Sequence, residues 1–254
     1  FRTSSGGRID RSKPVTFTFD GQSYTGYAGD TLASALLANG VRLVGRSFKY
    51  HRPRGIVTAG AEEPNALIQL GAGNRTEPNT RATQIELYDG LTCESQNRSP
   101  SLTFDLGAVN SLIQRFIPAG FYYKTFMWPA KGWLFYEKFI RRAAGLGEET
   151  RAFDPDRYET RYDFCEVLVI GAGAAGIAAA LSAAAGGGRV VLVEQDTRIG
   201  GGLLSDAAQA GWLNDRLAEI EAARNIRACT RTTAIGVYDD NQVVLVERRD
   251  HLKP

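Results

Sequence analysis

The residues of this chain best suited to chemistry lie between Glu166 and Gly202. An apolar run, Val167 to Ile170, leads into Gly171, Ala172, Gly173, Ala174, Ala175 and Gly176. An Ala- and Leu-rich segment follows, then a second apolar run, Val190 to Val193, and Glu194. This order reads as strand, glycine turn, helix and parallel strand, closed by an acid. Gly171 permits the tight turn, Gly173 lets the backbone approach a pyrophosphate, and Gly176 lets the helix pack closely on the strand. The helix N-terminus then faces the phosphates. Glu194 comes 18 positions after Gly176, where a carboxylate can accept hydrogen bonds from both hydroxyls of an adenosine ribose. It would repel a 2'-phosphate, so NAD or FAD fits better than NADP. A glycine-rich turn alone is a weak signal whose bland reading is an ordinary α/β crossover. Here the strand, the helix and the acid occur together.

The elements that must hold this turn continue downstream. Gly200, Gly201 and Gly202 follow the acid closely, a pattern resembling flavoproteins with two dinucleotide domains, where such a turn nears the cofactor phosphates; a flexible loop is the alternative. Leu203 to Ala223 is amphipathic enough for a helix in its second half, and Ile226 to Val237 reads as a third parallel strand. The edge of that strand would meet the adenine, making Thr233 and Ala234 candidates for backbone contacts. Asp239 to Asn241 is a turn and Gln242 to Glu247 a returning strand. A doubly wound sheet needs more strands than these, so the chain is expected to be part of a longer one, and the missing initiator Met suggests a trimmed N-terminus.

Other chemistries find little support. Cys93, Cys165 and Cys229 are odd in number and lack CxxC spacing, which argues against a disulfide framework or a zinc site and fits a reducing cytoplasm. His51 and His251 form no Ser/His/Asp pattern, and Glu62 and Glu63 are adjacent, so they would point differently in any regular element. The net charge is +2 over 254 residues, which gives no case for a nucleic-acid or membrane partner. One local exception runs from Arg42 to Arg54, with Lys49, His51 and Arg52 interleaved with Phe48 and Tyr50. It reads as a solvated or subunit-facing loop, because no basic excess elsewhere supports it. No apolar run approaches the roughly 18 residues needed to span a bilayer, and the polar start has no signal-peptide core.

At the front of the chain, Val15 to Phe19 alternates, Asp20 and Gly21 signal a turn, and Gln22 to Tyr27 returns. Gly29, Asp30 and Thr31 then offer an N-cap to a helix from Leu32 to Asn39, with Gly40 as its stop. Hairpin followed by helix is the opening of a β-grasp domain. Thr83 to Leu87 is its expected last strand, after a turn-rich stretch from Gly71 to Arg81. Three parts follow: a β-grasp domain over 1–100, an arm of short helices over 101–162, and an incomplete Rossmann-type domain over 163–254, so that the fold class is α/β plus α+β. The arm is dense in aromatics, from Phe116 through Phe121, Tyr122, Tyr123, Phe126 and Trp128 to Phe139. Such a surface suits an interface core as well as an interior.

Gly29 to Leu36 (GDTLASAL), Gly45 to Ile56 (GRSFKYHRPRGI) and the PAGFYYKTFMWP run resemble the alpha subunit of heterotetrameric sarcosine oxidase. Relatives of that family include subunits of hydrogen cyanide synthase and opine oxidases. Several hold a plant-type 2Fe–2S cluster through a C-x4-C-x2-C run after the Arg-Gly and a fourth Cys further on. Counted from Arg54 and Gly55, those positions fall here on Thr58, Glu63, Ala66 and Thr83, none a cysteine. A β-grasp domain without iron is therefore expected, and no metal. The resemblance implies an enzyme that oxidises sarcosine to glycine, reduces oxygen to hydrogen peroxide and passes the methyl carbon to tetrahydrofolate. It implies FAD in a beta subunit, FMN between alpha and beta, gamma and delta subunits, and an NAD in the alpha subunit that takes no evident part in turnover. Gly171, Gly173, Ala174, Ala175, Gly176, Glu194, Gln195, Asp196, Gly201 and Gly202 match that NAD site, while the catalytic residues would lie mostly in a partner. The family's folate-binding region has no counterpart in these residues. A subunit of an opine or other N-methyl amino-acid oxidase or dehydrogenase, and a non-catalytic nucleotide-binding subunit, are the alternatives.

Overall fold

The computed structural model describes residues 2–5, 7–116, 120, 126 and 128–249. Pro118, Phe121, Tyr122, Tyr123 and His251 lie outside them. The chain divides into two compact units, residues 1–157 and 158–254.

In the first unit, β1 (Asp10–Phe19) and β2 (Gln22–Ala28) form an antiparallel hairpin. Asp20 and Gly21 both have positive φ, 51° and 77°, the geometry of a two-residue turn whose twist matches that of the strands. α1 (Leu32–Ala38) begins at Thr31, whose side chain accepts from the Ser34 N–H while the Ser34 hydroxyl accepts from the Thr31 N–H. This reciprocal cap fixes where the helix starts. Short strands β3 (Gly45–Arg46) and β4 (Pro53–Arg54) pair with each other. β5 (Leu67–Leu70), β6 (Glu77–Arg81) and β7 (Leu91–Ser95) complete a five-stranded mixed sheet ordered β2-β1-β7-β5-β6, with β7 parallel to β1. Phe17, Leu32, Leu36, Ile68 and Leu91 form its core.

Two sequence expectations change here. The last strand is Leu91–Ser95, not Thr83 to Leu87. Ile85 and Leu87 are buried as a strand pattern demands, but their backbone serves the helix start: Leu32 N–H donates to Ile85 O, and Leu87 N–H to Asp30 O. The turn-rich stretch ends in β6, an edge strand, where Pro78 costs no central ladder bond. Beyond the sheet, the one regular helix among the described residues of the arm is α2 (Trp133–Ala143). Leu134, Phe135 and Phe139 on it are exposed, with the Phe135 and Phe139 rings edge-on at 5.0 Å.

The second unit contains β8 (Val167–Ile170), α3 (Ala174–Ala185), β9 (Val190–Val193), α4 (Ala210–Ala222) and β10 (Ile226–Cys229). The strands form a parallel sheet ordered β10-β9-β8, in register from Val167 opposite Val190 to Ile170 opposite Val193. β9 is buried along its whole length, as expected of the middle strand of a parallel sheet. Ile177, Leu192, Leu213 and Ile220 pack the helices against it. The expected single strand from Ile226 to Val237 is two. Arg231 has φ 51°, and after it β11 (Thr232–Val237) pairs antiparallel with β12 (Val243–Glu247) in a separate hairpin. Among the described residues no helix is long and apolar enough to cross a membrane.

Candidate functional site

The glycine turn sits where β8 ends and α3 begins. Gly171 has φ 92°, and its N–H donates to Val193 O at 2.8 Å, tying the turn to the end of β9. Gly173 is the N-cap of α3, with no side chain to cover the free amides, and Ala174 and Ala175 in the first turn are exposed. At Gly176 a Cβ would lie 1.8 Å from Gly171 O, so only glycine permits this closeness of helix and turn. The second glycine turn arrives on top of the first. Gly200 N–H donates to Ala172 O at 2.8 Å, and a Cβ on Gly201, which has φ 50°, would lie 3.1 Å from the Gly173 Cα. Gly202 has open space around it. Two backbone turns rich in N–H groups thus meet at a helix N-terminus, an arrangement suited to a diphosphate.

Glu194 follows directly on β9 and is only 7% exposed. Its Oε2 accepts from Ala172 N–H at 2.7 Å and its Oε1 from Asp196 N–H at 3.1 Å, so the acid is fixed against the turn. Asp196 lies beside it. Burial pushes the Asp196 carboxyl above the ordinary range, and the Glu194 charge adds to this, while Arg248 opposes it. Two carboxylates facing the same corner favour neutral hydroxyl donors over a phosphate. The Gln195 carbonyl accepts from the Arg248 guanidinium at 3.3 Å, so that residue contributes to holding β12's end near the site.

Thr233 and Ala234 are placed differently from the sequence expectation. They belong to the β11–β12 hairpin, opposite Val246 and Leu245, not to the edge of the parallel sheet. The residue joined to the acid is Thr232, whose N–H donates to Glu194 O at 2.8 Å. The break at Thr230 and Arg231 is not marked by glycine or proline, so periodicity runs across it unseen.

In the first unit, the four positions of a cluster carry a hydroxyl (Thr58), a carboxylate (Glu63), a methyl (Ala66) and a hydroxyl (Thr83). A 2Fe–2S centre is held by thiolates, so these residues do not fit one. Cys93 is not a substitute: it is buried on the sheet with its thiol donating to Thr18 O at 3.0 Å, and burial pushes its pKa up to about 12. Among the described residues no group of three or more His, Cys, Asp or Glu could hold a metal ion.

The basic run is also less free than its sequence implies. His51 Nδ1 lies 2.6 Å from Asp105 Oδ2 in a buried pair, and Asp105 also accepts from the N–H groups of Ser99 and Gly107. Arg46 donates to Leu102 O at 2.9 Å and His51 O at 3.0 Å. These side chains fasten the loop to the start of the arm. Nothing in the spacing of His51 and Asp105, 54 positions apart, signals the pair.

Two family models match separate parts of the chain. Residues 12–98 fit the family described as 2Fe-2S iron-sulfur cluster binding domain, and residues 166–237 the family described as FAD dependent oxidoreductase. The first of these matches is to a ferredoxin-type class and the second to a flavin-dependent oxidoreductase class. More particularly, the chain is similar in sequence to sarcosine oxidase alpha subunits. It is 56% identical to that subunit from Rhizobium meliloti (strain 1021) over 98% of this chain and 26% of the relative. It is 34% identical to that of Corynebacterium sp. (strain U-96) over 97% of this chain and 22% of the relative. The chain therefore spans about a quarter of the length of these relatives. L-proline dehydrogenase from P. horikoshii shares the fold, with TM-score 0.53 and 20% identity over 96% of this chain and 38% of that one.

Proposed function

We propose that this chain is the nucleotide-holding part of the alpha subunit of a flavin-dependent sarcosine oxidase. In this reading the second unit is a Rossmann-type domain, its strand order β10-β9-β8 corresponding to the first half of a doubly wound sheet. The first unit is a β-grasp module that works without a cluster. The complex oxidises the N-methyl group of sarcosine, giving glycine and hydrogen peroxide, with the methyl carbon passed to tetrahydrofolate. Flavin, as FAD in a beta subunit and FMN between alpha and beta, supplies the redox chemistry. The part of the present residues is to bind NAD: Gly171, Gly173 and Gly201 present backbone to the pyrophosphate, and Glu194 takes the ribose hydroxyls.

The observation that carries the nucleotide assignment is the contact of the two glycine turns beside the buried Glu194 carboxylate. The match of residues 166–237 to FAD dependent oxidoreductases favours a second reading, FAD in this same site. Denaturing the purified complex and identifying each released nucleotide by mass, for wild type and for a Glu194→Ala alpha chain, separates the two. NAD lost selectively from the variant is the expected result; selective loss of FAD would replace NAD by FAD, and unchanged release of both would remove the site.

The exposed apolar residues of α2 supply the proposed contact with a partner subunit. Phe135 and Phe139 are four apart and share one helix face, at 63% and 61% exposure. Glutamate at both positions is expected to weaken assembly by about 2 kcal/mol or more, as for central aromatic anchors. Analytical ultracentrifugation at low concentration would read this as loss of the largest species; an intact complex would assign the face to another use.

A further inference from the structure

The side chain of Glu63 is fully buried, with 1% of the residue exposed, in a loop that is otherwise open, Val57 being 65% exposed. Its Oε2 accepts from the N–H groups of Val57 and Thr58, at 2.9 and 2.8 Å, and from the Thr58 hydroxyl at 3.2 Å. Its Oε1 accepts from the N–H groups of Asn65 and Ala66, at 2.8 and 3.3 Å. The middle of the loop is held by the Thr83 hydroxyl donating to Gly60 O at 2.7 Å and by Arg81 Nε donating to Glu63 O at 3.1 Å. Of the other three positions of a cluster, Thr58 and Ala66 thus donate to the Glu63 carboxylate, and Thr83 ties down Gly60 of the same loop.

Convergent backbone N–H groups form a nest that demands an anion, and donors left without one pay for their desolvation. In a cluster domain the anion is the iron–sulfur core, whose sulfurs take hydrogen bonds from the surrounding loop. From the disagreement between the matched family and the residues present, we infer that Glu63 is the built-in replacement for that core. Its carboxylate, projecting from one of the former ligand positions, closes the loop permanently and leaves no place for iron. The arrangement stands on hydrogen bonds from neutral groups: the partners found among the described residues are backbone N–H groups and a hydroxyl. Burial by itself would push the Glu63 carboxyl up, yet the N–H groups of Thr58, Asn65 and Val57 hold it below the ordinary range. The first unit thereby keeps its fold with no dependence on cluster supply or on the redox state of the cell.

This inference rests on the reading of the first unit as a cluster-less module, and two independent arms test them. Wild-type complex, incubated anaerobically with ferrous iron and sulfide and then desalted, is expected to retain no stoichiometric iron; retention would overturn the cluster-less reading. Hydrogen exchange on the complex with Glu63→Ala tests the carboxylate itself. The amides of Val57, Thr58, Asn65 and Ala66 are expected to exchange about 100-fold faster, and those of Ile68 and Leu91 at the wild-type rate. Added formate, a free carboxylate able to enter the vacated nest, is expected to restore protection. Wild-type protection of the four amides in the alanine variant would overturn the inference, as would loss of protection that formate does not reverse while the sheet stays intact. If the alanine variant loses the whole first unit, Glu63→Gln decides: faster exchange confined to the loop supports the role of the charge, and wild-type exchange overturns it.

Discussion

Replacing Gly176 with valine is expected to abolish nucleotide retention and to unfold the strand–turn–helix unit of the second unit. The first atom of any side chain there would meet Gly171 O at 1.8 Å and Gly171 C at 2.9 Å. Both are backbone, in a turn whose φ of 92° is already one that L-residues avoid, so no flexible side chain can yield. Ordinary overpacking of a core costs about 1–3 kcal/mol. A clash with backbone must exceed that, because relief requires the helix to lift from the turn and lose Ile177 and Ala180 from the core. A loss of that size is comparable with the whole stability of a domain, about 5–15 kcal/mol. Alanine at the same position would act in the same direction with a smaller loss. Gly211, in the first turn of α4, makes the control: nothing lies within 4 Å of its Cβ position, so Gly211→Ala should stabilise slightly, by up to about 1 kcal/mol. Nucleotide content and hydrogen exchange over residues 167–193 measure both. Full nucleotide content with wild-type exchange in Gly176→Val would show that helix and turn do not approach as described.

On the proposed NAD assignment, Glu194→Ala is expected to lower NAD affinity by on the order of 100-fold, since the two charge-assisted hydrogen bonds proposed to the ribose would vanish at about 1.5–3 kcal/mol each, part of which water recovers. The loss has a second component in the empty site. Ala172 is fully buried, and its N–H would lose the 2.7 Å bond to Glu194 Oε2. An orphaned buried donor costs about 1–3 kcal/mol, so the apo protein should also be less stable. Glu194→Gln separates the two parts, because its carbonyl oxygen can still take the Ala172 N–H while the charge is gone; an affinity loss nearer 10-fold with near-normal stability is the expected outcome. The neighbouring carboxyl supplies a further check. Part of the upward push on Asp196 comes from Glu194, so Asp196 should titrate at lower pH in either variant. Isothermal calorimetry with NAD decides the main point. Affinity unchanged in Glu194→Ala would remove this residue from the ribose.

Much of the second unit could be read directly from the chain. Glycine spacing, an apolar run on either side and an acid at the right distance are local signals, each tied to a steric or electrostatic need that few other residue types meet. The same holds for the hairpin at Asp20 and Gly21 and for the cap at Thr31, where the pattern and the observed contacts agree within a residue. Reading failed where a strand-like pattern had another partner. Ile85 and Leu87 are buried as strand residues would be, but their backbone bonds go to the start of α1, so the last strand falls at Leu91–Ser95. Thr233 and Ala234 continue the periodicity of Ile226 to Cys229, and only the backbone turn at Arg231 sends them into a different sheet.

By itself, then, the sequence determined the local geometry: which turns need glycine, where α1 begins and that no thiolates stand at the cluster positions. Tertiary structure alone decided what those local pieces face. Glu63, in sequence merely one of two adjacent acids, became the buried centre of a loop because donors at Val57, Thr58, Asn65 and Ala66 converge on it. His51 and Asp105 met only because their segments fold together. The physical reason is common to both: burial and hydrogen-bond partnership depend on groups brought together in space, and a carboxylate or imidazole carries no mark in the chain of the partner that will satisfy it.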